Sequence, residues 1–401
     1  MHGFEGQLNT LIVHPASYPP GPASATLAQL LARGLRAAGG KPRIVGLLKS
    51  GTDRALRQWS SDAYGVSYRL LPFRGGRFGK LGKLSRYLFQ MPRLYRKAIE
   101  EEARSGLCDS VIIFGQSWSQ AMASVIACKR LRIPVLPICL EWWRFARDVA
   151  HLYWDQEMFR LRLLPKVDGL IAISRAWEDY ARLHNIRVLR MPSLADDCPV
   201  TRVMEQKPCG EFRLVYVGMM FRRDLPRTLL AGVREALRRG VSVRLIVVGR
   251  ADFFPEAKRA QREASACPFL RGHVEFTGWV SDQAMEEQRR LASAFVLLRA
   301  DEWEARVCFP TRLPEYLLTT KPVIISDAGD ISLYMQHRRN AWLLPPGDRP
   351  RELADAIATL SANTDEAHRI GREGRETALR EFSFRVQGPR LMEFLKACNC
   401  S

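Results

Sequence analysis

At 401 residues with 47% hydrophobic side chains, the chain is too long for one ordinary core and can fill two of similar size, and no part of it reads as disordered. A formal net charge of +19 points to a polyanionic partner: nucleic acid, an anionic membrane surface or a phosphorylated ligand. Nine scattered cysteines form no CxxC pair and no Cys/His cluster with zinc spacing, which fits a reduced, cytosolic compartment.

The first residues, MHGFEGQLNT, lack a basic n-region and an apolar h-region and do not read as a signal peptide. No apolar run reaches the roughly 18 residues that span a bilayer, so any membrane contact is expected to be peripheral. Residues 8–13 (LNTLIV) predict a buried strand, HPASYPPGPAS a Pro/Gly-rich loop, and Leu27, Leu30, Leu31 and Leu35 a helix that Gly39 and Gly40 stop. RIVGLL is the next strand and completes a βαβ unit of a parallel sheet. SVIIF (110–114), PVLPICL (134–140) and GLIAIS (169–174) are short apolar runs suited to strands buried on both faces, and they carry a first domain to about residue 195.

Residues 195–210 have no periodicity and read as a linker. The rhythm then restarts with the strand FRLVYVG, a helix over 227–239 and the strand VRLIVVG, followed by HVEFTG, FVLLR and PVIIS. Each run ends near Gly, Arg or Ser. Ligands of open parallel sheets bind beyond the carboxyl ends of the strands, so the chemistry is expected there.

The most informative stretch is FPTRLPEYLLTTKPVIIS, residues 309–326, with Pro310, Arg312, Glu315 and Tyr316 ahead of Lys321-Pro322-Val323-Ile324. It resembles the family 4 glycosyltransferases, in which a Pro-x-(Lys/Arg)-x-x-Glu-(Tyr/Ala) run precedes a Gly-x-Pro-Val strand; Thr320 stands here for the small residue. Tyr216-Val217-Gly218 with Arg222-Arg223-Asp224 resembles the family's diphosphate clamp. Val247-Val248-Gly249 and Phe276-Thr277-Gly278-Trp279-Val280 match two further strand ends, the second flanking the nucleobase in the family. The run from Asn340 to Asp348 and the segment EFSFRVQ also fall in the family's order. The resemblance is strong over about 210–390 and looser before that.

The resemblance implies an α/β chain of the GT-B fold, two facing Rossmann-like domains with parallel sheets. An acceptor-side domain is expected over 1–195, with a C-terminal helix at about 384–401 packing back on it, and a nucleotide-sugar-binding domain over 210–383. It implies a metal-independent glycosyltransferase acting with retention on a UDP- or GDP-linked donor, with no other cofactor. Glu315 takes the ribose diol by this resemblance, and Thr311 and Arg312 join it on the nucleotide side. Gly21, Gly218, Gly249 and Val280 are placed around the donor. Independently of the family, guanidinium groups suit a leaving diphosphate because they bind phosphate oxygens bidentately and stabilise the developing charge. Arg222 and Arg223 are the first candidates, Arg299 and Arg306 the next.

Two positions depart from the family. Its first Glu, eight positions before Glu315, is Val307 here, with Glu302 and Glu304 nearby at other spacings. The His after the fifth N-terminal strand is missing from Pro137–Trp143, and Glu141 at that strand end becomes the catalytic or acceptor-binding candidate. Plainer readings stand beside these: Glu315 as a solvated residue near a positive helix end, Arg222-Arg223 as a surface turn, Gly21 as turn chemistry, His14 as a satisfied loop histidine, and Trp142 and Trp143 as packing.

Residues 63–99 hold no Asp or Glu and nine cations, Arg69, Arg74, Arg77, Lys80, Lys83, Arg86, Arg93, Arg96 and Lys97, interleaved with aromatics. Leu84, Leu88, Met91 and Tyr95 share one helical face and Arg86, Arg93 and Lys97 another, with Pro92 placed to kink the helix. Either this is a core helix with a solvated basic face, or it holds the protein on the inner face of an anionic membrane. No helix-turn-helix, RNP or zinc-finger pattern is present, so nucleic acid is not the expected partner. The leading expectation is a glycosyltransferase of surface polysaccharide or glycolipid synthesis, working on a glycan or lipid-linked acceptor. A GT-B epimerase or phosphorylase and a non-catalytic nucleotide-sugar-binding subunit are the rivals.

Overall fold

The computed structural model describes residues 7–15, 18, 23–49, 58–73, 89–115, 117–142, 150–197, 210–250 and 254–400. Gly21, Trp143 and five of the nine cations, Arg74, Arg77, Lys80, Lys83 and Arg86, lie outside them. The chain divides into two compact units: Met1–Leu194 with Ser383–Ser401, and Ala195–Phe382.

Unit one is built on a sheet of β1 (Asn9–Val13), β2 (Lys41–Lys49), β3 (Ser60–Ser61), β4 (Ser67–Phe73), β5 (Ser110–Phe114), β6 (Val135–Cys139), β7 (Leu170–Ala172) and β8 (Val188–Arg190). Their order is β3-β4-β2-β1-β5-β6-β7-β8, and every pairing is parallel except β3 with β4. The chain leaves β1 toward β2 and later returns to its other side as β5, so the direction of winding switches at β1. β5 and β6 are buried along their whole length, the pattern that continuous apolar runs take between two layers of helices. Those helices are α1 (Ala23–Ala37), α2 (Met91–Arg104), α3 (Trp118–Leu131), α4 (Ala150–Met158) and α5 (Arg175–Leu183).

Of the segment 63–99, the described residues are 63–73 and 89–99. Its first part is the strand β4 beside β2, and Arg69 on it turns toward Glu101 (3.1 Å) and Glu102 (3.8 Å) of α2. Arg43 joins Glu102 at 2.6 Å, and both guanidiniums lie over the Trp59 ring. Pro92 is the second residue of α2, and Phe89 and Gln90 just before it are π-helical, Gln90 with φ -75 and ψ -50. Met91, Tyr95, Ala98 and Ile99 form the buried face of α2, while Arg93, Arg96 and Lys97 point outward, Arg96 and Lys97 paired with Glu100 and Glu101 one turn on.

Unit two carries an all-parallel sheet of β9 (Phe212–Val217), β10 (Val243–Val248), β11 (Val274–Gly278), β12 (Ala294–Leu297), β13 (Val323–Ser326) and β14 (Trp342–Leu344), in the order β11-β10-β9-β12-β13-β14. Its helices are α6 (Pro226–Arg238), α7 (Pro255–Ala266), α8 (Asp282–Leu291), α9 (Trp303–Val307), α10 (Arg312–Leu318), α11 (Pro350–Ala362) and α12 (Thr364–Thr377). Winding switches at β9, which lies between β10 and β12.

The last helix, α13 (Phe384–Asn399), belongs to unit one and packs along α1. The two helices meet at glycines. A Cβ on Gly388 would lie 2.2 Å from the Gly34 carbonyl oxygen, and one on Gly34 would lie 2.7 Å from that of Phe384. Phe384, Leu391, Met392, Leu395 and Cys398 thereby enter the core that holds Leu27, Leu31 and Leu35. Gly388→Ala forces the helices apart, and overpacking of this kind costs about 1–3 kcal/mol. The urea midpoint of the variant should fall accordingly; an unchanged midpoint shows that the crossing is looser than the backbone distances require.

Candidate functional site

At the carboxyl ends of the unit-two strands the backbone is bare. Gly218 follows β9, Gly249 follows β10 and Gly278 ends β11. The Gly218 N–H donates to the Val248 carbonyl (2.9 Å) and the Gly249 N–H to that of Gly278 (3.0 Å). Gly249 has φ +128, and a Cβ there would stand 2.2 Å from the Gly218 oxygen. Neither position takes a side chain, and the three strand ends close into an unobstructed edge.

The turn after β9, Arg222–Asp224, is fixed from below. The Tyr216 hydroxyl donates to Asp224 Oδ2 (2.9 Å) and accepts the Met220 N–H (3.0 Å). Burial pushes the Tyr216 phenol well above its ordinary range, and the Asp224 charge adds to this, so the hydroxyl keeps its proton and remains a donor. Asp224 Oδ1 lies 3.5 Å from Arg299 Nη1 at the end of β12, and the Ala300 N–H donates to the Arg223 carbonyl (2.8 Å). The Arg299 N–H in turn donates to Ser326 Oγ at the end of β13 (3.0 Å). The Arg223 guanidinium lies 5.2 Å from the Phe221 ring, which packs on Phe254.

Arg222 is exposed and pairs with Glu302 at 3.0 Å. Arg306 instead pairs with Asp301 (2.6 Å). Val307 is fully buried, which explains why no carboxylate stands at that position: an unpaired buried charge is costly. Glu315 lies in the first turn of α10 and accepts from Arg312 Nη1 (2.8 Å), with Arg289 Nη2 at 3.5 Å. Burial works against the Arg312 charge, but the Glu315 carboxylate beside it more than compensates and raises its pKa above the usual guanidinium range. The next residue, Tyr316, stacks on Phe295 (4.3 Å between ring centres), and its hydroxyl accepts the Val217 N–H (2.9 Å), which ties α10 to the end of β9. Thr311 stands exposed at the N-cap of α10 without a side-chain capping bond. Val280 follows the end of β11, beside the exposed Trp279.

Unit two thus gathers Arg222, Arg223, Arg299 and Gly218 at the ends of β9 and β12, with Gly249 beside Gly218. Glu315 and Arg312 sit on α10, which Tyr316 joins to the same strand end. The sequence named Tyr216 and Asp224 only as members of the clamp motif, without their roles, and Arg289 not at all. Asp224 and Tyr216 hold the arginine turn, and Arg289 from α8 completes the surroundings of Glu315. A tyrosine in an aliphatic strand was the available signal, since a buried hydroxyl needs a partner.

In unit one, Glu141 lies two residues beyond β6, its carbonyl accepting the Gln156 amide (2.8 Å). Trp142 stacks on Trp177 (4.5 Å) and meets Tyr180 edge-on, a packing role. His14 is buried, its Nε2 3.0 Å from Ser24 Oγ and its ring against Phe114. At the end of β5, Asp155 of α4 accepts from Ser117 Oγ and from the Ser119 N–H (3.0 Å).

Residues 211–363 match the family model described as Glycosyl transferases group 1, and residues 23–191 the one described as Glycosyl transferase 4-like domain. Among solved structures, the chain is similar to a sucrose-phosphate synthase from Thermosynechococcus elongatus, at 18% identity and a TM-score of 0.74 over 97% of this chain and 99% of that one. A glycosyltransferase from Rickettsia africae matches at 15% identity and a TM-score of 0.71 over 98% of each chain. The Anabaena protein HepE, solved in complex with UDP and glucose, matches at 17% identity and a TM-score of 0.66 over 96% of this chain and 98% of that one. No curated protein matches the chain. At such identities the likeness fixes the fold, which is GT-B.

Tyr216→Phe removes two hydrogen bonds and leaves Asp224 and the Met220 N–H each short of a partner, at a cost of about 1–3 kcal/mol. The variant should melt earlier, and its Met220 amide should exchange faster with solvent. Wild-type exchange at Met220 shows that the turn does not depend on the phenol.

Proposed function

Because the chain belongs to the group 1 glycosyl transferases and is a glycosyltransferase of the GT-B fold, we propose that it transfers a sugar, with retention, from a UDP- or GDP-linked donor to a glycan or lipid-linked acceptor. The nucleotide is held by unit two, and the reaction serves surface polysaccharide or glycolipid synthesis. The observation that carries the donor assignment is the meeting of an acidic turn and an arginine turn at one set of strand ends. Glu315 offers two carboxylate oxygens to a ribose diol, and Tyr316 locks its helix to β9. The arginines offer cations to the diphosphate. HepE, which shares the fold, is solved with UDP and with UDP-glucose.

In this reading the diphosphate exchanges with carboxylates already present. Arg222 leaves Glu302 for a phosphate oxygen, an inexpensive swap because an exposed ion pair contributes only about 0–1 kcal/mol. As the glycosidic bond breaks, negative charge grows on the leaving diphosphate, and the preorganised guanidiniums of Arg222, Arg223 and Arg299 stabilise it. Glu141 lies in unit one and is assigned to the acceptor side.

Glu315→Ala should weaken UDP or GDP binding by about 1.5–3 kcal/mol, since hydrogen bonds to a charged group are lost. Arg223→Ala should instead lower turnover at saturating donor by roughly 100-fold, because it acts on the charge that develops in the transition state. Calorimetry with each nucleotide, and release of nucleoside diphosphate from nucleotide-sugars, read the two effects separately. Equal nucleotide affinity in wild type and Glu315→Ala removes Glu315 from the site.

A peripheral contact with anionic membrane completes the proposal. Among the described residues no helix is long and apolar enough to cross a membrane. Unit one does expose three apolar side chains, Trp154 (61%) and Met158 (39%) on α4 and Leu161 (54%) in the π-helical turn after it, followed by exposed Arg162 and Lys166. Aromatic and aliphatic side chains enter the interface while neighbouring cations meet lipid headgroups, each worth about 1 kcal/mol at low salt. Vesicles rich in anionic lipid should co-sediment the protein, with binding that falls as salt rises. Trp154→Ser with Leu161→Ser should remove the part that resists salt. Wild-type protein that ignores such vesicles at low salt refutes the membrane contact and makes a soluble glycan the acceptor.

A further inference from the structure

Unit two carries a second basic concavity, lined by none of the strand-end residues. Between α6 and α7 runs an open groove of about 600 Å³, lined by Arg227, Arg259, Arg262, Glu263 and Ala266. Three guanidiniums face it against one carboxylate. Arg234, seven residues after Arg227, extends the same face of α6.

These cations differ from those at the strand ends in one respect. There, Arg222, Arg299, Arg306 and Arg312 each have a carboxylate: Glu302, Asp224, Asp301 and Glu315. In the groove Arg262 reaches only the Lys258 carbonyl (3.4 Å), and among the described residues no carboxylate lies within ion-pair distance of Arg227, Arg259 or Arg262. Arg227 is also placed against the helix field. It occupies the first turn of α6, which holds no acidic residue, and the positive end of a helix disfavours a cation. Like charges lining one groove, one of them at a positive helix end, are relieved by a bound anion.

We propose that this groove is a binding site for a small phosphorylated solute bearing two or more phosphate groups, separate from the donor site. Guanidiniums from two helices grip phosphate oxygens bidentately, and the absence of internal carboxylate partners leaves their donors available to the ligand. The open shape suits a short phosphate chain lying along the helices. The site is independent of the sugar-transfer reading, since it shares no residue with the strand ends.

Inorganic tripolyphosphate is the probe, titrated calorimetrically into the full chain at low salt, with and without saturating UDP or GDP. Wild type should retain tripolyphosphate binding when nucleotide is present. Arg259→Gln with Arg262→Gln should weaken that binding roughly 100-fold, since each lost charged contact is worth about a tenfold change or more. Both residues are exposed on α7, so the variant should melt like wild type and bind nucleotide as before. Undiminished tripolyphosphate binding in the double variant overturns the proposal, as does complete displacement by nucleotide. Binding to anionic vesicles without binding to tripolyphosphate also overturns it and makes the groove a lipid contact. If neither UDP nor GDP binds, the donor assignment fails while the tripolyphosphate result still stands.

Discussion

The crossing of Gly34 and Gly388 sets the terms for the whole chain. A helix formed at the end of the sequence completes the core of the unit formed at its beginning, and backbone comes so close to backbone that only glycine fits on both sides. The buried face of α13 supplies Leu391 and Leu395 to a core whose members outside that helix run from Leu8 to Leu194. In sequence, unit one is therefore interrupted by the whole of unit two. The entropy of closing a loop grows only with the logarithm of its length, so this connection is thermodynamically tolerable, but it delays the completion of unit one until the last helix is available.

Glycine serves unit two differently. Gly218 and Gly249 bring strand ends together where side chains would hold them apart, and the resulting edge presents backbone with cations on its rim. Without ligand, those cations are neutralised by Glu302, Asp224 and Asp301. The pairs are unequal. Arg299 and Asp224 are largely buried, Asp224 held by Tyr216 and the Arg299 backbone by Ser326, so their geometry is fixed. Arg222 and Glu302 are exposed and weakly bound to each other, so they can change partners. The α6–α7 groove differs: Glu263 lines it, but among the described residues no carboxylate pairs with Arg227, Arg259 or Arg262.

Much of this was legible because the strands are short apolar runs buried on both faces: SVIIF, FRLVYVG and VRLIVVG are strands where their composition places them, and the first turn of α10 holds Glu315 as its motif requires. What stayed hidden depends on partners distant in sequence. Arg69 reads as one more cation of a basic run, yet its carboxylates sit on the next helix. Arg222 and Glu302 are 80 positions apart, and nothing local announces their pairing. β4 was masked by its charge, because Arg69 interrupts the apolar signal of an outer strand.

The departure at Val307 follows from the same reasoning. In α9 the side chains of Ala305 and Val307 face inward and are buried, while Glu302 stands at the N-cap position without a side-chain capping bond and Glu304 lies in the first turn. A carboxylate at 307 would sit desolvated in an apolar interior, where ionisation is strongly opposed. At 302 it keeps solvent on one side and a guanidinium on the other. The acid at this edge of the sheet therefore lies on the rim, beside the arginine turn. The single contact between them leaves most of the Arg222 N–H donors open to solvent, so the guanidinium can take an anion from the rim.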